Sequence, residues 1–244
     1  MIKDRWLISI CAGWQQKQSL LNAKHLGIKV IAFDADINAP CKSIVDLFFP
    51  IDVHDSKAII KKIEQLQITP VVAVSFISDL GMQTAGIIND YFKTDGMSKE
   101  LADKLTNKKL QRTCWESLSM FNPKWRCIKD LSVPKVERLL NQFSGPVMIK
   151  PIDAAGSRGV FKINKPSVND VPLLKEALKF SKKHEIIIEE YIDGREFSVE
   201  SFWRDGECEI LAVSERFVLH DKTASTIIST VFPSEIENII IDAT

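Results

Sequence analysis

Two short segments carry most of the chemistry that residue type and spacing can suggest. The first is Val147–Val160. An apolar run ends at Lys150, and a Gly156, Ser157, Arg158, Gly159 loop follows before the next apolar run. Glycines let backbone N–H groups come close to an anion, and a nearby lysine and arginine neutralise phosphate charge. This is not a Walker loop, because the lysine precedes the glycines instead of following them. An ordinary hairpin loop is the plainer reading of the same residues. The second segment is Ile186–Glu200, where Glu189 and Glu190 end an apolar run and Tyr191, Ile192 and Glu196 follow. On its own it reads as a polar turn between strands. Read functionally, it is a hinge beside an adenine, with Glu196 placed to hold ribose hydroxyls.

These segments need a scaffold, and the hydrophobic pattern supplies one. Trp6 to Ile10, Lys29 to Phe33 and Val71 to Val74 are short apolar runs, as buried parallel strands are. Between them lie a helical segment, Gln16 to Leu26, stopped by Gly27, and a helix capped by Ser56 with Ile59, Ile60, Ile63 and Leu66 at helical spacing. Asp79 to Asn89 is expected to be helical too. The alternation predicts a small doubly wound parallel sheet over residues 1–95. A basic helical stretch from Ser98 to Leu118 makes a connection over 96–120. From 121 to 244 the pattern is α+β: strands Val147–Lys150, Val160–Ile163 and Ile186–Glu190, an amphipathic helix Asp170–His184, and a hairpin of Glu196–Arg204 with Cys208–Arg216 closed by Asp205 and Gly206. Ser234 and Glu237 fit a capping box opening a helix with Ile236, Ile239, Ile240 and Ile241. The sequence ends two turns later without a C-terminal stop signal, so the chain reads as shortened relative to its parent fold.

Bulk properties narrow the classes. The chain has 244 residues with 32 basic and 32 acidic side chains. That balance argues against a nucleic-acid or membrane-surface role, which needs a basic excess. Five irregularly spaced cysteines without C-x-x-C read as reduced thiols of a cytoplasmic protein. The four histidines have no metal-ligand spacing. No run of about 18 apolar residues is present to span a bilayer.

The order of the two segments, with Asp103 and Lys104 on a preceding helix and the Gly13, Asp34, Asp36 region before that, resembles the ATP-grasp superfamily. The likeness runs over almost the whole chain. It is nearest the branch with biotin-carboxylase-like, carbamoyl-phosphate-synthase-like and amino-acid-ligase-like members. It implies a pre-ATP-grasp domain followed by a partial ATP-grasp domain. It also implies ATP as cofactor, with Lys104 and Lys150 on the phosphates and Gly156, Ser157, Arg158 and Gly159 looping over them. Glu189, Glu190, Tyr191 and Ile192 would read the adenine edge through backbone groups, and Glu196 would hold the ribose. Lys108 and Lys109 compete with Lys104 for its role.

The resemblance implies a parent activity of ATP-dependent ligation of a small-molecule carboxylate to an amine or similar nucleophile through an acyl phosphate, with a homodimer as a compatible assembly. Mg²⁺ is expected as well, but its usual Glu-x-Asn ligands are not found after Phe232, where only Glu235, Glu237 and Asp242 occur, so no metal ligand is assigned. Catalytic residues are not assigned either. A catalytically inactive nucleotide-binding module is the alternative. A dinucleotide enzyme is a third reading, since Asp34 follows Gly13 at ribose-binding distance, but two of the three fingerprint glycines are absent. Arg216, His220 and Lys222 are expected in a polar loop that faces solvent or substrate.

Overall fold

The computed structural model describes residues 5–220, 225–236 and 240. It divides into two compact units, Met1–Leu118 and Ser119–Thr244.

In the first unit the apolar runs become strands β1 (Trp6–Ile10), β2 (Lys29–Phe33), β3 (Leu47–Phe49) and β4 (Pro70–Val74). They are all parallel, in the order β3-β2-β1-β4. Helices α1 (Lys17–His25) and α2 (Ser56–Gln65) make crossovers between strands, and α3 (Met82–Phe92) follows β4. The central strands β1 and β2 are buried on both faces, which is why they read as continuous apolar runs. Ile8, Ile10, Ile31 and Phe33 pack with Ile59 and Ile63 of α2 and with Ala85 and Ile88 of α3. Leu7, Val30 and Ala32 face the other way, onto Leu20 and Ala23 of α1. Helices therefore cover both faces, and the doubly wound expectation holds.

Three local expectations are corrected here. The cap of α2 is Asp55, whose carboxylate accepts from the Ala58 N–H; Ser56 is the first helical residue. The helix expected over 79–89 is a one-turn 3-10 segment, Asp79–Gly81, followed by α3, which runs on to Phe92. The basic stretch 98–118 is two helices, α4 (Lys99–Thr106) and α5 (Lys108–Ser117). Asn107 separates them: its backbone is extended, and its buried side chain accepts from the Leu110 N–H to start α5.

The second unit holds two antiparallel sheets. One contains β5 (Trp125–Ile128), β6 (Val147–Pro151), β7 (Phe161–Ile163) and β8 (Ile186–Glu190), in the order β5-β8-β6-β7. Helices α6 (Val133–Leu140) and α7 (Val171–Lys179) cover one face of it. That core joins Val136, Leu139, Leu140, Leu174 and Ala177 to Ile128, Val147, Ile149, Ile186 and Ile188. The other sheet is β9 (Glu196–Arg204), β10 (Glu207–His220) and β11 (Ser225–Val231), in the order β11-β10-β9. Asp205 and Gly206, both at positive φ, close the β9–β10 hairpin as expected.

Helix α7 ends at Lys179 and does not continue to His184, because the N–H groups of Lys182 and Lys183 donate to the Asp153 carboxylate. Strand β10 runs to His220, so Arg216 lies within a strand opposite Glu196 and not in a loop. Lys222, Glu237, Ile239, Ile241 and Asp242 lie outside the described residues, and with them the expected capping box and most of the terminal helix.

Candidate functional site

The first sheet of the second unit has two chemically different faces. Side chains alternate along a strand, and antiparallel partners share a face. Val147 and Ile149 point to the α6–α7 core, so Met148 and Lys150 point away from it. The register puts Trp125, Glu189, Met148 and Lys162 in one row across all four strands. Cys127, Ile187 and Lys150 make the adjacent row. The face opposite the helices therefore carries the polar groups, at the mouth of the 152–160 loop.

Lys150 and Glu189 are diagonal neighbours on that face. The Lys150 Nζ donates to Glu189 Oε2 at 2.6 Å. Glu189 is 2% exposed and Lys150 25%. A carboxylate this buried needs a cation, and removing one partner leaves the other charged and desolvated. The pair holds the ammonium in a defined place while leaving part of it open to an anion.

After Lys150 the chain forms the glycine loop. Gly156 and Ser157 are both left-handed, at φ +66° and +55°, and Gly159 is left-handed at +71°. A Cβ on Gly156 would meet nothing, so this part of the loop borders open space. A Cβ on Gly159 would lie 2.7 Å from Phe180 Cδ2, so only glycine fits there. Arg158 is exposed and its Nε donates to the Ala155 carbonyl. The geometry is that of a short arch with backbone groups and a guanidinium at its crest.

The hinge segment is narrower than the sequence suggests. The N–H groups of Glu190 and Tyr191 are already engaged, by Lys124 O at 2.8 Å and Pro146 O at 2.9 Å. Glu189 sits inside the sheet between β5 and β6. Among the described residues, the first N–H past the strand without a partner belongs to Ile192, which is exposed. Glu196 opens β9 and is exposed beside its cross-strand neighbour Arg216. Lys162, which sequence reasoning did not single out, stacks its ammonium 3.4 Å from the Tyr191 ring centroid. The period-2 pattern of β7 was the available signal, since it puts Lys162 opposite Met148 on the Lys150 face.

Lys150, the 156–159 loop, Glu189–Ile192 and Glu196 thus fall in one unit, whereas Lys104 belongs to the other. Lys104 lies on the exposed face of α4, with its Nζ 2.7 Å from Glu100 Oε1 one turn back. That carboxylate raises the Lys104 pKa through a hydrogen bond and its charge.

Among the described residues, no group of three or more His, Cys, Asp or Glu side chains could hold a metal ion. The carboxylates of Glu189 and Glu215 are held by Lys150 and Arg195. The donor set of the described residues does not fit Mg²⁺. The dinucleotide reading also meets a structural obstacle. The Asp34 carboxylate accepts from the Ala12 and Asp36 N–H groups, so both of its oxygens are engaged by the backbone.

Comparison with known proteins agrees with this geometry. Residues 143–242 match the model of an ATP-grasp domain. The chain is 27% identical over 207 residues to 5-formaminoimidazole-4-carboxamide-1-(beta)-D-ribofuranosyl 5'-monophosphate synthetase of Thermococcus kodakarensis, covering 82% of this chain and 57% of the relative. It is 25% identical over 195 residues to formate-dependent phosphoribosylglycinamide formyltransferase of Prochlorococcus marinus, covering 77% and 47%. The chain therefore spans about half the length of these curated relatives. Among solved structures, the N5-carboxyaminoimidazole synthetase of Staphylococcus aureus with ADP superimposes with a TM-score of 0.76 at 16% identity, over 99% of this chain and 62% of that one. That likeness speaks to fold alone. The ATP-grasp match thus falls on residues 143–242, the segment that carries Lys150, the glycine arch, Glu189–Ile192 and Glu196.

Proposed function

We infer that the second unit binds ATP and that the chain serves an ATP-dependent ligation of a small carboxylate to an amine through an acyl phosphate. The observation that carries this is the Lys150–Glu189 pair at the mouth of a left-handed glycine arch. Lys150, partly open and held in place by Glu189, is suited to the phosphates. Gly156, Ser157, Arg158 and Gly159 form the arch over them. Ile192 offers its N–H to the adenine edge, with Glu190 and Tyr191 holding the hinge against the sheet, and Glu196 faces the ribose. ATP would supply the phosphoryl group that activates the carboxylate. These residues bind and orient it and keep water from that group, because catalysis of phosphoryl transfer is mostly positioning and electrostatics.

The substrate class rests on the relatives. One is named for formate, a carboxylate, and the others are named as synthetases. The same reading takes residues 1–95 as the pre-ATP-grasp domain, 96–120 as connecting helices and 121–244 as the grasp domain. It includes Mg²⁺ as ATP's counter-ion, with ligands outside the set described above, and a cytoplasmic homodimer. No helix among the described residues is long and apolar enough to cross a membrane. The test is isothermal titration with ATP and with GTP, followed by ADP release in the presence of formate and amine acceptors. Saturable binding selective for ATP supports the site. Failure to bind ATP with or without Mg²⁺ refutes it.

A further inference from the structure

The glycine arch is tied at both ends to the same piece of the protein, the turn between α7 and β8. At its entry, Asp153 accepts three hydrogen bonds. Its Oδ1 takes the Ser181 hydroxyl at 2.8 Å and the Lys182 N–H at 3.2 Å, and its Oδ2 takes the Lys183 N–H at 2.9 Å. Ser181 is buried and its Oγ in turn accepts from the Glu185 N–H at 3.2 Å. The Ile152 N–H closes the seam on the Glu185 carbonyl at 3.3 Å. At its exit, Gly159 lies against the ring of Phe180 and the ring of Pro151, with no room for a Cβ. Residues 154–158 are therefore a five-residue span between two anchors, carrying Gly156, Ser157 and Arg158.

An ordinary hairpin loop between β6 and β7 needs neither anchor, since the strand ladder already sets its ends. A carboxylate that spends both oxygens on a neighbouring turn costs desolvation and excludes other partners. Its effect is to set where the crest of the loop starts. Asparagine cannot replace it, because its amide nitrogen is a donor and would face the N–H or hydroxyl that one carboxylate oxygen accepts.

We propose that Asp153 and Phe180 are positioning residues that fix the two feet of the glycine arch on the α7–β8 turn, so that residues 154–158 close over the polyphosphate of a nucleoside triphosphate. This rests on the ATP-binding reading above and adds to it which residues govern phosphate, as opposed to adenosine, recognition. Neither residue touches the nucleotide. Their loss weakens the triphosphate contribution and leaves the adenosine contribution in place.

The experiment uses the whole chain with three forms: wild type, Asp153→Asn and Phe180→Ala. Phe180 is 40% exposed, so its replacement keeps the test available even where Asp153→Asn folds poorly. ATP is titrated by calorimetry and adenosine by ligand-observed NMR, and trypsin cleavage after Arg158 is followed with and without each. Wild type is expected to bind both, with cleavage suppressed by ATP and not by adenosine. Both variants are expected to lose about tenfold in ATP affinity, hold adenosine within about twofold, and stay cleavable with ATP present. Unchanged ATP affinity in both variants overturns the proposal while leaving ATP binding intact. A parallel fall in adenosine affinity overturns it too, because general damage then explains the loss. Absence of ATP binding by the wild type removes the underlying reading as well, and is distinguished because no variant is needed to see it.

Discussion

At the scale of single residues, the Lys150–Glu189 pair ties stability to binding. Glu189 is all but inaccessible and accepts from the Lys150 ammonium at 2.6 Å. Lys150→Met removes the cation and strands the carboxylate, at a cost of about 3 kcal/mol or more. Urea unfolding is expected to show that loss, and ATP titration the disappearance of binding. A variant as stable as wild type would mean that Glu189 has another partner able to carry its charge. Ile192 offers a cleaner separation. Ile192→Pro deletes the first N–H past β8 that has no partner among the described residues, while Ile192→Leu keeps it. Proline there is expected to weaken adenosine and ATP equally, by about fivefold, since a net hydrogen bond contributes about 1 kcal/mol. Equal binding by the proline and leucine forms would remove Ile192 from the adenine edge. Glu190 and Tyr191 were not separable from Ile192 by sequence, because which N–H groups the ladder consumes depends on where Lys124 and Pro146 lie.

At the scale of elements, the break between α4 and α5 depends on one buried side chain. Asn107→Ala removes the acceptor of the Leu110 N–H and is expected to cost about 1 kcal/mol, read as a lower denaturation midpoint. An unchanged midpoint would show that the extended backbone at 107 alone sets the break. That break was not legible because Lys99 to Ser117 keeps a helical charge pattern throughout, and a single asparagine is a weak stop in a sequence read locally. The elements that were legible share a property. β1, β2 and β8 are central strands, so their apolar runs are unbroken, and the Asp205–Gly206 turn announces itself by type. The elements that were missed lack that signal. β3 and β5 are three and four residues long at sheet edges, and β11 is a mostly polar edge strand. α6 begins at Val133 and Pro134 directly after a turn, without a side-chain cap. The site followed the same rule. Lys150 and the glycine loop stood out by type, while the anchors Asp153 and Phe180 are ordinary residues whose roles come from a turn about 30 positions away.

At the scale of the whole chain, each unit has hydrophobic cores of its own. Those of the first are built around Ile31 with Phe33 and around Val30 with Leu20; that of the second is built around Ile149 with Leu174. Every residue assigned to the arch and the hinge lies in the second unit, so ATP binds a surface whose integrity depends on the second core. Linkage then makes a specific demand. A ligand stabilises the cooperative block that holds its site, by about 2.7 kcal/mol when present at a hundred times its Kd. Ile149→Ala and Ile31→Ala each delete a fully buried side chain and are expected to cost about 2–5 kcal/mol in their own units. Thermal unfolding followed by calorimetry should resolve two transitions, one lowered by Ile31→Ala and the other by Ile149→Ala. Saturating ATP should raise the transition that Ile149→Ala lowers and leave the other where it stands. If ATP instead raises the transition marked by Ile31→Ala, the nucleotide site is in the first unit and the assignment of Lys150 fails. If the two substitutions lower a single shared transition, the units fold as one cooperative block, and nucleotide binding must draw on both cores at once.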